Sequence, residues 1–191
     1  MWKKTLLITA ATIVFGAPVW AQSPTNDAAS FLSKASQINY EEQETAKMAR
    51  SKAGDNQALL TYAEIIRGDH KANEEAVSAL SRQKNIKLES PGYHKGEKNT
   101  LSNLKGAAFD QAYLEEQVTG HQEALETFKT AENTYKSDPD VELYIQQTIP
   151  MLEAHLKMAE NLKSHLSTAS TENPANNKSE TRGMGQTSSS R

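Results

Sequence analysis

Apolar positions spaced by alternating steps of four and three, sustained over four separate stretches, most constrain what this chain can fold into. Leu59, Ala63, Ile66, His70, Asn73, Val77 and Leu80 follow one another in this way. The spacing puts them on one face of an α-helix that packs against other helices. Three further stretches repeat it: Ala28, Phe31, Ala35, Ile38, Glu42, Thr45 and Ala49; Leu114, Val118, His121, Leu125 and Phe128; Val141, Ile145, Thr148, Leu152, His155, Ala159, Leu162 and Leu166. Four helices, each with one stripe to bury, predict an all-α four-helix bundle.

Capping chemistry sets the expected boundaries. The first helix runs from about Asp27 to Ala53, with Gly54 where a left-handed cap residue belongs. Asp55 or Asn56 caps the second helix, which reaches about Lys84, so the first two helices are expected to be antiparallel neighbours. Asn85 to Lys98 holds Pro91, Gly92 and Gly96 and reads as a loop, with an extended turn around Ile86 and Leu88. At ~3.3 Å per extended residue it could turn back or cross a bundle of helices ~40 Å long, which leaves both up-down and crossover topologies open. Leu101 and Leu104 open an apolar segment interrupted at Gly106, and the third helix spans Ala107 to Tyr135. Asp138-Pro139 supplies an N-cap and a first-turn proline for the fourth helix, where Pro150 predicts a kink. Tyr62, Ile65, Asp69, Ala72, Ala76 and Ala79 make a second stripe on helix two, which predicts a helix covered on a wide face or a contact between copies of the chain.

The ends of the chain read differently. Lys3 and Lys4 precede an apolar run from Thr5 to Val19, broken by Gly16 and Pro18, and Val19-Trp20-Ala21 suits cleavage after Ala21. Residues 1–21 are therefore expected to be a cleaved signal peptide, with 27–166 the bundle and 167–191, which lack any apolar period, a disordered tail. The mature protein is expected to be exported to the periplasm, with no transmembrane span. The chain has no cysteine, which excludes disulfides, thiolate metal sites, a cysteine nucleophile and a lipoprotein anchor. The 21 basic residues less Lys3 and Lys4 leave 19 against 24 acidic ones, a mature formal charge of −5. These charges are interspersed, without the basic stripe that nucleic acid demands.

Each stripe carries one ionisable residue near the middle of its helix: Glu42, His70, His121 and His155. Mid-helix residues share one height in either topology, so the four are expected to form a layer. Gly68, Gly120 and Pro150 weaken the helices beside it. One reading, the favoured one, is a satisfied polar layer that fixes helix register, with the glycines as close-packing positions. The other is a metal site: three imidazoles and the Glu42 carboxylate suit Zn, Mn, Fe or Cu, with Asp69 or Glu74 orienting an imidazole and Glu116 as a further candidate. No serine nucleophile with a His and an acid at identifiable spacing, and no Gly-rich phosphate loop, occurs. The expected function is a non-enzymatic binding or stress-related module of the cell envelope, with an envelope protein or a second copy as partner. A metal-binding or metal-dependent redox protein is the alternative.

Four segments carry a family resemblance: Asp69-His70 after Tyr62-Ala63, Phe109-Asp110-Gln111-Ala112-Tyr113, His121-Gln122-Glu123-Ala124-Leu125, and Pro150-Met151-Leu152-Glu153-Ala154-His155-Leu156. With them the chain resembles an uncharacterised family of exported bacterial proteins, catalogued as a domain of unknown function and often labelled outer-membrane proteins. The resemblance implies a ferritin-like four-helix fold and no established activity. Ferritin-like di-iron enzymes carry Glu-x-x-His pairs, whereas Arg67, Val118 and Leu152 stand three residues before the histidines here. The ten-residue alternating strands of an outer-membrane barrel are missing as well.

Overall fold

The computed structural model describes residues 24–91 and 101–172. Four long helices account for most of them: α1 (Pro24–Lys52), α2 (Gln57–Gln83), α3 (Gly106–Thr134) and α4 (Pro139–Glu172). The expected signal peptide, 1–21, lies outside the described residues, as do 173–191 of the expected tail; α4 itself runs on to Glu172. Among the described residues, no helix is long and apolar enough to cross a membrane.

The caps form where the sequence places them. Asn56 Oδ1 accepts from the Leu59 backbone N–H at 3.1 Å, and Asp138 Oδ1 from that of Val141 at 3.3 Å. Helix α4 continues through Pro150, which sits on its exposed side. Gly54 has no left-handed backbone, contrary to expectation. The described residues with positive φ are Asn85 (55°) and Gly106 (59°). Asn85 ends α2 in a Schellman arrangement, with the Ile86 N–H reaching the Ser81 carbonyl at 2.8 Å. Gly54 is instead a point of close approach: its N–H donates to Asp110 Oδ1 at 3.1 Å, and an added Cβ would lie 3.3 Å from Asp110 Oδ2.

Those contacts decide the topology. Helix α3 starts beside the α1–α2 turn, through Gly54 and Asp110. The end of α2 meets the start of α4, where Lys84 Nζ lies 2.7 Å from Asp138 Oδ1. Helices α2 and α3 therefore run parallel, and the segment joining them crosses the length of the bundle. Its described ends are pinned accordingly. The Glu89 N–H donates to Ser33 Oγ near the start of α1, and Lys52 Nζ donates to the Ser102 carbonyl at the end of α1. Helix α1 packs on α2 and α3, and α4 packs on α3 and α2. This is the crossover arrangement of ferritin-like bundles.

The core has two apolar parts. One gathers Phe31, Leu32, Phe128, Tyr144 and Leu152, closed by Ile86 and Leu88 from the start of the crossover. The other gathers Leu59, Tyr62, Ile66, Phe109, Tyr113 and Leu114. The mid-helix polar residues lie between them.

Two expectations about faces need correction. Of the second stripe on α2 only Tyr62 is buried; Ile65, Asp69, Ala72, Ala76 and Ala79 are exposed. With α1 and α4 as its packing neighbours, α2 has one wide contact face, and small alanines bring little apolar area to enlarge it. On α1 the buried set includes Leu32, Ser36, Asn39 and Ala46, while Ile38 and Glu42 stand at the edge of the contact face.

Candidate metal centre

His70 of α2, His121 of α3 and His155 of α4 converge between the two halves of the core, each at most 1% exposed. Ring centroids are 5.6 Å apart for His70 and His121, and 5.3 Å apart for each of the other two pairs. One nitrogen of each ring lies within 4.8 Å of the other two. The tightest pair is His121 Nε2 and His155 Nδ1, at 3.3 Å.

The opposite nitrogen of each ring faces a hydrogen-bond acceptor. His70 Nδ1 lies 3.0 Å from Asn39 Oδ1, His121 Nδ1 2.9 Å from the Gln117 main-chain carbonyl, and His155 Nε2 2.9 Å from Asp69 Oδ2. A carbonyl or a carboxylate cannot donate, so the outward nitrogens carry the protons. On a neutral ring the inward nitrogen is then a lone pair. His70 Nε2 is buried with no hydrogen-bond partner. Two lone pairs facing each other at 3.3 Å repel unless a cation or a proton lies between them.

Electrostatics favour the neutral form of His70 and His155. Burial, reinforced by the facing His121 and His155, pushes the His70 pKa well below the ordinary imidazole value. His155 is also lowered, because burial outweighs its bond to Asp69. Neutral imidazole is the form that ligates metals.

The other residues picked out from the sequence take different places. Glu42 is nearly buried and stands behind His121, not among the inward nitrogens. Its Oε1 is 3.7 Å from His121 Nδ1, and its Oε2 accepts from Gln117 Nε2 at 2.6 Å. Asp69 orients an imidazole, but it reaches across to His155 of α4 instead of serving its neighbour His70. Glu74 accepts from Ser36 and Ser78, away from the rings. Glu116 lines a cleft of about 630 Å³ between α1 and α3, together with Glu41, Glu42 and Gly120. The glycines are not close-packing positions: an added Cβ on Gly68 meets nothing within 4 Å, and on Gly120 only an ordinary contact with Glu42. His165 is exposed, and His94 lies outside the described residues.

Asn39 and Gln117 were not singled out by the sequence pattern. Their signal was present, since Asn39 follows Ala35 by four residues and Gln117 precedes His121 by four. A seam drawn through Ile38 and Val118 passes beside them.

Fold and site together define a ferritin-like four-helix protein with a buried cluster of three histidines. The chain belongs to the family described as a domain of unknown function (DUF4142), whose profile matches residues 17–162. Among solved structures it is similar to CopM in its silver-bound form, obtained by co-crystallization. That match has a TM-score of 0.61 and 15% identity, and covers 72% of this chain and 96% of that one. At that identity the likeness speaks for the fold. No curated protein matches the chain.

Proposed function

We propose that this protein is an exported, non-enzymatic metal-binding protein, and that His70 Nε2, His121 Nε2 and His155 Nδ1 hold a divalent transition metal ion. The observation that carries the reading is the convergence of three imidazoles whose outward nitrogens are all engaged by acceptors. Such acceptors behind metal-binding histidines fix the tautomer and raise ligand basicity. Three nitrogens on one ion, with bonds of ~2.05 Å, lie about 3.4 Å apart, so a small inward turn of the rings completes the site. All-nitrogen donors suit Zn(II) and Cu(II) better than Mn(II), and Fe(II) sites of this kind usually add a carboxylate ligand. Charge favours a divalent ion, because Asp69 behind His155 and Glu42 beside His121 supply two negative charges. CopM, which shares the fold, was crystallised with silver bound, and this adds to the case for a metal in such a bundle. Near-complete burial of all three rings favours holding an ion over turning over a substrate. Export rests on the Lys3-Lys4 start, the apolar run and Ala21.

The test is metal content by mass spectrometry on the untagged chain beginning at Gln22, after exposure to Zn, Cu, Mn and Fe in turn. One equivalent of Zn or Cu is expected, and none in His70→Ala, His121→Ala or His155→Ala. Failure of every metal to bind would leave the register-fixing layer as the function of these side chains. A specific observation favours that second reading too: hydrogen bonds through Asn39, Asn73 and Thr148 tie α1, α2 and α4 together at this level.

A further inference from the structure

Four buried or half-buried polar residues behind His70 form a chain of hydrogen bonds in which one direction satisfies every donor and acceptor. It starts at the main-chain carbonyl of Tyr144, which can only accept. The Thr148 hydroxyl donates to it at 2.8 Å. Thr148 Oγ1 is thereby left to accept, and it does so from Asn73 Nδ2 at 2.9 Å. With its amide nitrogen committed to Thr148, Asn73 presents Oδ1 to two donors, the Tyr144 hydroxyl at 2.7 Å and Asn39 Nδ2 at 2.9 Å. Asn39 must then turn its own Oδ1 toward His70 Nδ1, at 3.0 Å. An amide that could flip freely would accept or donate equally well at that imidazole. Here a flip at Asn39 requires a flip at Asn73, and that in turn costs the Thr148 hydroxyl its bond to the backbone carbonyl. Asn39 and Thr148 are each 2% exposed, so water offers little substitute for a lost partner.

We infer that the chain Thr148–Asn73–Asn39 is the device that sets the tautomer of His70: it keeps the proton on Nδ1 and holds Nε2 as a lone pair aimed at His121 and His155. These are positioning residues. Thr148 on α4 reaches His70 on α2 through Asn73 of the same helix and Asn39 of α1, without touching the imidazole. In the metal-binding reading, on which this consequence rests, the chain spares the site the cost of moving a proton before an ion can bind. The tautomer itself is a property of the metal-free protein. It stands or falls independently of that reading.

The experiment is a long-range nitrogen–proton correlation spectrum of the imidazoles, on the metal-free mature chain above pH 7.5. Native protein is expected to show His70 with its proton on Nδ1 and an unprotonated Nε2. Thr148→Val, which removes the hydroxyl while keeping the shape, is expected to give a mixture of His70 tautomers and leave the His121 and His155 signals in place. Thr148→Ser restores the hydroxyl and is expected to restore the native spectrum. Zn(II) affinity should fall roughly fivefold in Thr148→Val, the scale of one net hydrogen bond, and return in Thr148→Ser. A native spectrum with the His70 proton on Nε2 overturns the inference, whatever the variants do. So does a Thr148→Val spectrum identical to the native one. If His70 shows the expected tautomer but native protein binds no metal, the hydrogen-bond chain stands and the metal reading falls. If the metal-free protein carries the His70 proton on Nε2 and the protein still binds one equivalent of metal through the three histidines, the reverse holds.

Discussion

Replacing Asp69 with asparagine separates the two things this carboxylate does. Oδ2 accepts from His155 Nε2 at 2.9 Å, and it places a negative charge on the far side of the ring from the cluster. Asparagine can still accept through its oxygen but carries no charge, whereas Asp69→Ala removes both. A divalent ion bonded to His155 Nδ1 would lie about 7 Å from Oδ2, allowing for the ring and a ~2 Å metal–nitrogen bond. The attraction at that distance is about 5 kcal/mol at an effective dielectric of 20, and about 1 kcal/mol at that of water. The Asp69 side chain is 51% exposed, so screening brings the value toward the lower end. We expect a loss of about 1.4 kcal/mol, a tenfold weaker affinity, for Asp69→Asn. For Asp69→Ala we expect about a hundredfold, the upper range for partners that orient metal-binding histidines. A competition titration against a chromophoric chelator, at fixed pH and salt, measures both. Native affinity in Asp69→Asn would refute the electrostatic argument. Equal losses in the two variants would mean that the retained acceptor adds nothing and that the charge accounts for the whole effect.

Zn(II) at a hundred times its dissociation constant should stabilise the fold by about 2.7 kcal/mol, a rise of roughly 10 °C in Tm for a domain of this size. His70→Ala should abolish the rise, as read by calorimetry. Metal-free stability should fall with acid. His70 and His155 bind protons less readily when folded than when unfolded, so their contribution is complete above the unfolded value near 6.5. It is lost as pH drops from there toward the lower folded values, at up to about 2.7 kcal/mol per pH unit for two groups. Urea midpoints at pH 7.5 and 5.0 check the sign, and a higher midpoint at pH 5.0 would contradict it. Gly68→Ala should stabilise by about 1 kcal/mol, because Gly68 lies inside α2 with open space where a Cβ would go. Metal affinity should be unchanged in that variant, and a destabilised protein would show that the glycine has a role the geometry does not reveal.

Much of the site is legible in the sequence. A mid-helix residue stays at mid-height whatever the topology, which is why His70, His121 and His155 could be assigned to one layer from spacing alone. The caps at Asn56 and Asp138 and the stripe on α2 from Leu59 to Leu80 were equally local, since each depends on residues within one or two turns. Periodicity encodes position along one helix. It is nearly silent about rotation around the axis when a stripe mixes apolar and polar residues. That is why the spacing on α1 points to Ile38, while packing buries Leu32 and Asn39.

The rest belongs to contacts between helices distant in sequence. The segment after α2 was long enough to turn back or to cross. Gly54 meeting Asp110, and Lys84 meeting Asp138, decided that it crosses. Crossing brings α2 beside α4, which lets Asp69 serve His155, 86 residues away, and not the histidine next to it. Glu42 had the right height and the right chemistry for a ligand, yet the packing of α1 on α3 set it behind His121, at the outward nitrogen. The sequence by itself determined the helices, their caps and the level at which three imidazoles would meet, because those follow from spacing along a chain. Which nitrogen of His70 and of His155 points inward was decided only by the tertiary structure, because the acceptors that hold their outward protons, Asn39 and Asp69, come from other helices; for His121 the acceptor is the carbonyl one turn back in its own helix.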